Sequence, residues 1–546
     1  MSIQSLALSR AGAPITAPAF REYPTKLFVE ATSRCNLNCV MCMKQTSGGG
    51  AADGDLHPTT FEALEPAFPH LEALILNGVG EPLLNSRLEQ FICRAKKLMP
   101  AGGWVGFQTN GLLISNIRAL TLVDAGVDRI CLSMDGASPD TFRAIREGGQ
   151  LNDLEWALSA LTAAKAGCGR PDLQIGVEFV IMRENLREFP AALRWAASRG
   201  ATFALASHVL PYDETHASQC AYELCTNEAL SLFHAWKIKA DLAKVEIHRY
   251  YEVLWKFSRT PEEQRIIDFV EAIRTDAQHR GVTLDLKRLL AMDRSRLDEL
   301  VEVFEEALEV ARETGLDLRL PEAVPKERRT CDFVEQGGAF ISWDGHVHPC
   351  YYLWHSCRSY ANGWMHPVQP KVFGRVPGQG ILDVWNSGEF RTYRENVLRY
   401  EYPYCPGCNF APCDYVQSEA FDQDCYVNNE PCGSCLWSSG DVPVPAVGAA
   451  TFTPSRRRPR RSFVRRSAAT PPQSLLRVRR SGAKSAALNW DCTRGKAEKL
   501  ASPYDSPCFP VWFAASSLRN TSIERCNKCT KSSATKSWRP TSTGWW

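Results

Sequence analysis

A chain of 546 residues with 44% hydrophobic content has room for two or three domains and a sizeable core. Its formal net charge of +2 excludes a globally charged partner surface, and it lacks the run of about eighteen or more apolar residues that a membrane-spanning helix needs. Twenty-one cysteines in tight local groups, with no secretory signal between Met1 and Ala19, point to metal-bound thiols in a reducing cytoplasm and not to a disulfide framework.

Residues 1–25 read as a short lead-in. From 26 onward, strand-like segments at Leu27–Glu30, Ala73–Asn77, Val105–Thr109, Arg129–Met134, Gln174–Met182 and Phe203–Val209 alternate with amphipathic stretches. The latter fall at Arg87–Leu98, Ile114–Ala125, Leu154–Ala166 and Leu186–Ser198, with apolar residues at helical spacing. This alternation predicts an α/β fold with a parallel sheet and right-handed crossovers, whose ligands bind at the carboxyl ends of the strands.

The first strand leads into Arg34-Cys35-Asn36-Leu37-Asn38-Cys39-Val40-Met41-Cys42, three thiols within eight residues. Short spacings of this kind let thiolates converge on one metal centre. Three ligands on a four-iron, four-sulfur cluster leave one iron open to a small molecule, whereas a fully ligated cluster carries electrons. A zinc knot is the alternative, although zinc sites show paired Cys-x-x-Cys units or Cys/His pairs. The second strand ends in Asn77-Gly78-Val79-Gly80-Glu81-Pro82-Leu83, where glycines let backbone approach a ligand and proline rigidifies the exit. The third ends in Gln108-Thr109-Asn110-Gly111, a turn signature. In Cys131-Leu132-Ser133-Met134-Asp135-Gly136, alternation puts Ser133 and Asp135 on one face and Met134 on the other. Glu178 lies inside the fifth strand, open to a substrate contact or to a structural pair. Asn185-x-x-Glu188 reads as a capping pair for the next helix, and His208 and Asp213 are placed where they could face the cavity.

The cysteine loop, with the glycine loop that follows it, resembles the signature of the radical S-adenosylmethionine (radical SAM) superfamily. The resemblance implies a partial (β/α)6 barrel over 26–320, matching the six strands counted above. It implies a [4Fe-4S] cluster held by Cys35, Cys39 and Cys42, and S-adenosyl-L-methionine chelated to the open iron. Gly78, Val79, Gly80 and Glu81 resemble the family's Gly-Gly-Glu-Pro motif, whose backbone and carboxylate hold the amino group of that cofactor. Ser133 and Arg146, the latter in Ile145-Arg146-Glu147-Gly148-Gly149, would hold its carboxylate, with Asp135 beside them. Met41 stands where the family often has an aromatic residue next to adenine. No residue of the sequence marks itself as the catalytic acid or base.

Residues 212–295 form a helix-rich insertion before a last barrel helix at Leu297–Thr314. Runs at Ala229–Ala243 and Ile266–Gln278 have helical periodicity, and Trp236, Tyr250, Tyr251 and Trp255 read as packing residues. An insertion at this end of the barrel could shape a lid over substrate.

A second cysteine field begins with Cys331, thirteen residues, Gly345, four more, and Cys350; Phe340–Val347 reads as a hairpin with an Asp-Gly turn that brings the two thiols to one side. Cys405, Cys408, Cys413, Cys425, Cys432 and Cys435 follow, giving eight ligands, enough for two clusters of four, with Cys357 as a spare. The region 330–438 resembles the SPASM domain, which implies two auxiliary iron–sulfur clusters. Four residues between Cys408 and Cys413, and eleven between Cys413 and Cys425, depart from the family's spacing. Cys405, Cys408 and Cys413 are assigned to one cluster and Cys331 and Cys350 to the other; Cys425, Cys432 and Cys435 complete them in an order the sequence leaves open. Two zinc sites are the alternative. Asn409–Tyr415 and Asn429–Gly433 are most like a subgroup proposed to mature metalloenzymes, near tungsten or molybdenum oxidoreductases.

Residues 439–546 change texture. They hold Arg456-Arg457-Arg458-Pro459-Arg460-Arg461, few acids and no apolar period, and read as a basic, disordered tail. Cys526 and Cys529 lack a partner pair there.

The function these readings imply is reductive cleavage of S-adenosylmethionine to a 5′-deoxyadenosyl radical that modifies a peptide or protein, in the maturation of a metalloenzyme. An electron donor such as ferredoxin or flavodoxin is implied, without membrane or nucleic-acid partners. A maturase forming thioether or carbon–carbon crosslinks in a peptide natural product is the alternative. A non-catalytic iron–sulfur electron-transfer or assembly protein is the alternative of another class.

Overall fold

The computed structural model describes residues 17–46, 50–326, 329–360, 364–408, 413, 418, 421–438 and 440. The start of the lead-in, most of Asn409–Tyr415 and almost all of the tail lie outside the described residues.

The barrel strands are β1 (Lys26–Val29), β2 (Ala73–Ile75), β3 (Trp104–Thr109), β4 (Arg129–Ser133), β5 (Gln174–Ile181), β6 (Phe203–His208) and β7 (Asp317–Arg319). They pair in chain order, each parallel to the next. Helices cross between them at Leu88–Leu98, Asn116–Asp124, Leu151–Gly167, Phe189–Ala197 and Arg294–Thr314. The strands are apolar on both faces because helices cover one face and the barrel interior the other; all three residues of β2 are buried. Local chemistry fixes the helix ends. Ser115 accepts a hydrogen bond from the Arg118 N–H, Gln150 and Asp153 form a reciprocal cap, and Arg294–Thr314 stops at Gly315 in the left-handed region (φ 74°).

Two features exceed the expected six-strand barrel. The first is β7, which pairs Phe203↔Asp317 beside β6. The second is the join to the C-terminal region. There, β8 (Gly338–Ile341) lies parallel to β1 on the side away from β2, in register Lys26↔Gly338 to Val29↔Ile341. It continues into antiparallel β9 (His346–His348) and a return through β12 (Gly374–Arg375); a separate ribbon pairs β10 (Cys357–Ser359) with β11 (His366–Val368). One ten-stranded sheet therefore spans both regions. The β8–β9 turn closes with the Gly345 N–H on the Ser342 carbonyl at 2.9 Å. Gly345 is at φ 90°, where a Cβ would lie 2.1 Å from the Val376 oxygen, so the Asp-Gly turn requires its glycine.

The insertion builds its own core from residues such as Phe233, Tyr250, Val270 and Ile273. Trp236 donates to Asp276 Oδ2 at 2.7 Å. Trp255 differs from expectation: it is 85% exposed, beside an equally open Phe257. No helix among the described residues is long and apolar enough to cross a membrane.

Candidate active site

The loop after β1 is pinned at its root and at its tip. At the root, the Ser33 N–H donates to the Gly54 carbonyl at 3.0 Å, Ser33 Oγ donates to the Ala52 carbonyl at 2.6 Å, and Arg34 pairs with Asp55. At the tip, the Asn38 and Val40 N–H groups donate to the carbonyls of Glu147 and Ile145 at 3.1 and 3.0 Å. His216 Nε2 sits 2.8 Å from the Val40 carbonyl while Asp213 holds Nδ1 at 2.5 Å. Asp213 is thus a buttress of the cysteine loop through His216 and does not serve the cavity directly.

Against this loop lies Gly78–Glu81. The Glu81 N–H donates to the Arg34 carbonyl at 2.7 Å. A Cβ on Gly80 would stand 2.4 Å from the carbonyl oxygens of Thr32 and Arg34, so the two loops meet backbone to backbone. The Glu81 carboxylate turns inward. It accepts from Thr109 Oγ1 at 2.7 Å, the Leu83 N–H at 3.1 Å and the Asn110 N–H at 2.7 Å. Its described bonds secure the end of β3, which leaves backbone as the exposed part of the motif. Asn110 Nδ2 reaches Asn36 Oδ1 at 2.8 Å, tying that turn to the cysteine loop.

Ser133 ends β4 and accepts from Gln108 Nε2 at 3.1 Å. Asp135 follows two residues on. It lies past the strand end, fully buried, with Oδ1 accepting from the Val180 N–H at 2.7 Å and Oδ2 paired to Arg146 Nε at 2.6 Å. It therefore orients Arg146 and does not itself line the cavity. Burial pushes the Asp135 carboxyl up, and the guanidinium opposes that. The other edge of Arg146 faces Cys39, with Nη1 3.7 Å from the sulfur. Burial pushes the Cys39 thiol up to about 11, and Arg146 works against the shift. Cys35, Cys39, Cys42, Gly78–Glu81, Ser133 and Arg146 border one cavity of about 220 Å³. Met41, Gln108 and Asn110 border it too.

Deeper in the barrel, Glu178 pairs across the sheet with Ser133, so it points to the same interior face. Gln108 and Ser207 donate to its carboxylate, while Oε2 is buried without a partner; burial, then Asp135, push its carboxyl up to about 7. The Tyr351 hydroxyl is likewise buried without a partner, its ring wedged among Phe28, Phe340 and Trp354 at 4.8–5.2 Å between centroids. His208 faces the opposite way, against Tyr222 and Phe304 in the helical layer, with Nε2 3.0 Å from the Glu322 carbonyl. Burial drops it to about 4. Nor do Asn185 and Glu188 cap their own helix. Asn185 donates to the carbonyls of Asp135 and Val180, and Glu188 accepts from the N–H groups of Ala137 and Ser138. Both brace the segment that carries Asp135.

The eight C-terminal thiols fall into two groups. Cys331, Cys350, Cys432 and Cys435 lie in mutual electrostatic range, and burial pushes every one of them up, Cys350 to about 12. Cys405, Cys408, Cys413 and Cys425 form the second group. Cys425 thus lies on the side of Cys408 and Cys413, and Cys432 and Cys435 on the side of the hairpin thiols. Arg329 supports their loop, donating to the carbonyls of Cys432 and Gly433 at 3.1 and 2.9 Å. Cys357 is buried in β10, its shift due to burial alone. Among the described residues, no three His, Cys, Asp or Glu side chains converge as ligands of a single metal ion. The sulfur-only donor sets, three at the cavity and four in each C-terminal group, fit iron–sulfur clusters in composition.

Comparison with known proteins adds the following. The radical SAM superfamily pattern matches residues 29–196, and the SPASM iron–sulfur cluster-binding domain pattern matches 331–409. Over 432 residues the chain is 28% identical to the tungsten-containing aldehyde ferredoxin oxidoreductase cofactor-modifying protein of Pyrococcus furiosus, covering 78% of this chain and 99% of that one. It is 32% identical over 193 residues to the GTP 3′,8-cyclase of Rhizobium meliloti, 34% of this chain and 52% of that one. Among solved structures, Streptococcus suis SuiB bound to precursor peptide SuiA aligns over 74% of this chain and 76% of its own, at 11% identity and a TM-score of 0.41.

Proposed function

We propose, from the premise that this chain is a radical SAM enzyme with a SPASM domain, that it modifies a peptide or protein in the maturation of a tungsten or molybdenum oxidoreductase. The observation that carries this reading is the shared cavity. It brings three thiols, a backbone loop, Ser133 and Arg146 to the mouth of an interior where Glu178 and Tyr351 have unused polar atoms. The similarity, over 99% of its length, to a protein named for modifying the cofactor of a tungsten-containing oxidoreductase supports the client class.

Cys35, Cys39 and Cys42 would hold the catalytic [4Fe-4S] cluster. The backbone of Gly78–Glu81 would hold the amino group of S-adenosylmethionine, with Ser133 and Arg146 on its carboxylate. When bound, these cofactors supply a 5′-deoxyadenosyl radical that takes a hydrogen atom from substrate. Asp135 keeps Arg146 aimed at the cavity. The buried rings of Phe28 and Phe340, with Trp354 packed on the latter, line this part of the interior with apolar surface. Glu178 Oε2 is free to accept a hydrogen bond from an N–H or O–H of the substrate. The two C-terminal groups would hold auxiliary clusters. Cys425, the exposed member, marks the group nearer an electron donor such as ferredoxin or flavodoxin.

The test is mass spectrometry of a candidate client oxidoreductase, protein and cofactor together, produced with wild type or with Cys35→Ala. A mass change that depends on wild type is expected. The same masses in both would remove client modification, and a crosslinked short peptide instead would favour natural-product maturation.

A further inference from the structure

Glu30 closes the carboxyl end of β1, completely buried, between the barrel and the C-terminal region. Three groups converge on its carboxylate. Oε1 accepts from the Val79 N–H at 3.0 Å, Oε2 accepts from the Trp343 N–H at 3.3 Å, and His355 Nε2 lies 3.2 Å from both oxygens. Val79 belongs to the Gly78–Glu81 loop. Trp343 belongs to the β8–β9 turn, and His355 follows Cys350 by five residues. Gly78 is seated directly on the acid, since a Cβ there would be 2.2 Å from Glu30 Cγ. His355 is itself nearly enclosed, packed on Trp354 with 4.9 Å between centroids.

We propose that Glu30 and His355 are positioning residues through which the auxiliary-cluster domain sets the S-adenosylmethionine-binding loop. This rests on the reading that Gly78–Glu81 holds that cofactor. A buried carboxylate keeps its place only while its donors remain. Removing His355 leaves the Glu30 carboxylate short of a donor and able to turn, which weakens its hold on the Val79 N–H. Glycine on both sides of Val79 gives the loop no rigidity of its own to resist. The C-terminal domain thus contributes to cofactor affinity from outside the cavity.

The experiment uses the full chain, reconstituted anaerobically, with S-adenosylmethionine as the probe. Affinity is read from the change that the cofactor makes in the electron paramagnetic resonance spectrum of the reduced cluster. Turnover is read as 5′-deoxyadenosine released with dithionite. His355→Ala should raise Kd and KM by about tenfold or more, the scale of losing a hydrogen bond to a buried charged group. Its kcat and iron content should stay near wild type. His355→Gln, which keeps an N–H donor, should recover most of the affinity, and Glu30→Gln should resemble His355→Ala. A merely structural role would lower iron content or kcat without this split and without rescue. Gly80→Ala separates the two readings. If it leaves Kd unchanged, the loop does not hold the cofactor and the proposal falls with it. If it abolishes binding while folded His355→Ala and Glu30→Gln both bind normally, the positioning role alone is overturned.

Discussion

The cysteine loop after β1 and the four thiols around Cys350 use the same side chain in contrasting settings. Cys35 is exposed beside a cavity, and a guanidinium stands 3.7 Å from Cys39. Of Cys331, Cys350, Cys432 and Cys435, Cys350 is buried and the others are half-buried, with phenol rings such as Tyr352 and Tyr393 near them, the latter with its hydroxyl 4.0 Å from the Cys432 sulfur. Three ligands and open space suit binding and exchange of a small molecule; a set of four ligands suits holding a cluster that passes electrons.

The sharpest way to break this contrast is to delete one thiol from each group. Cys35→Ala should abolish 5′-deoxyadenosine release while the C-terminal iron remains. Cys350→Ala and Cys432→Ala should each lose the same auxiliary cluster, and their double variant no more than either alone. Both should retain cofactor cleavage when dithionite supplies the electron. Iron analysis with Mössbauer spectroscopy reads these outcomes, and a greater loss in the double variant would refute the grouping.

A second expectation concerns the Arg146 guanidinium, 3.7 Å from the Cys39 sulfur. Arg146→Gln leaves the Asp135 carboxylate buried without its partner, which costs about 3–5 kcal/mol of stability by denaturant unfolding. Adding Asp135→Asn should recover much of that stability but not cofactor cleavage. Recovery of both would deny Arg146 a ligand role.

The smallest effect belongs to Glu178. Its folded pKa, about 7, lies above the ordinary value of 4.5. A raised acid favours folding while it is protonated, so its contribution is complete below about pH 4.5 and is lost as pH rises through about 7. Between those limits wild type should lose about 3 kcal/mol of stability relative to Glu178→Gln. Parallel stability–pH curves for the two would show that Glu178 is ionised in the folded barrel.

Much of the barrel was legible in the sequence because its strands are apolar runs between amphipathic helices; β1 to β6 fall within two residues of the expected segments. The join of β8 to β1 was not legible, since a four-residue strand carries no mark of which distant strand it will pair with. The cluster thiols, Gly78–Glu81, Ser133 and Arg146 were legible as motifs, and the structure brings them together. Alternation places Met134 in the apolar core and Asp135 toward Arg146, although the strand itself ends at Ser133. His208 could have been read correctly. Leu205 lines the barrel interior, so strict alternation puts His208 on the outer face. Glu30 and Tyr351 had no local signal at all. Glu30 meets His355, and Tyr351 meets Phe28, only through contacts between opposite ends of the folded chain.

The parallel pairing of Lys26 with Gly338 has a consequence for biogenesis. During synthesis at about 5–20 residues per second, β1 waits roughly 15–60 s before its second neighbour exists. Throughout that interval one edge of the strand that leads into the cysteine loop stays unpaired, and Glu30 lacks both Trp343 and His355. A delay in making the C-terminal strands therefore lengthens the exposure of a parallel edge prone to wrong pairing.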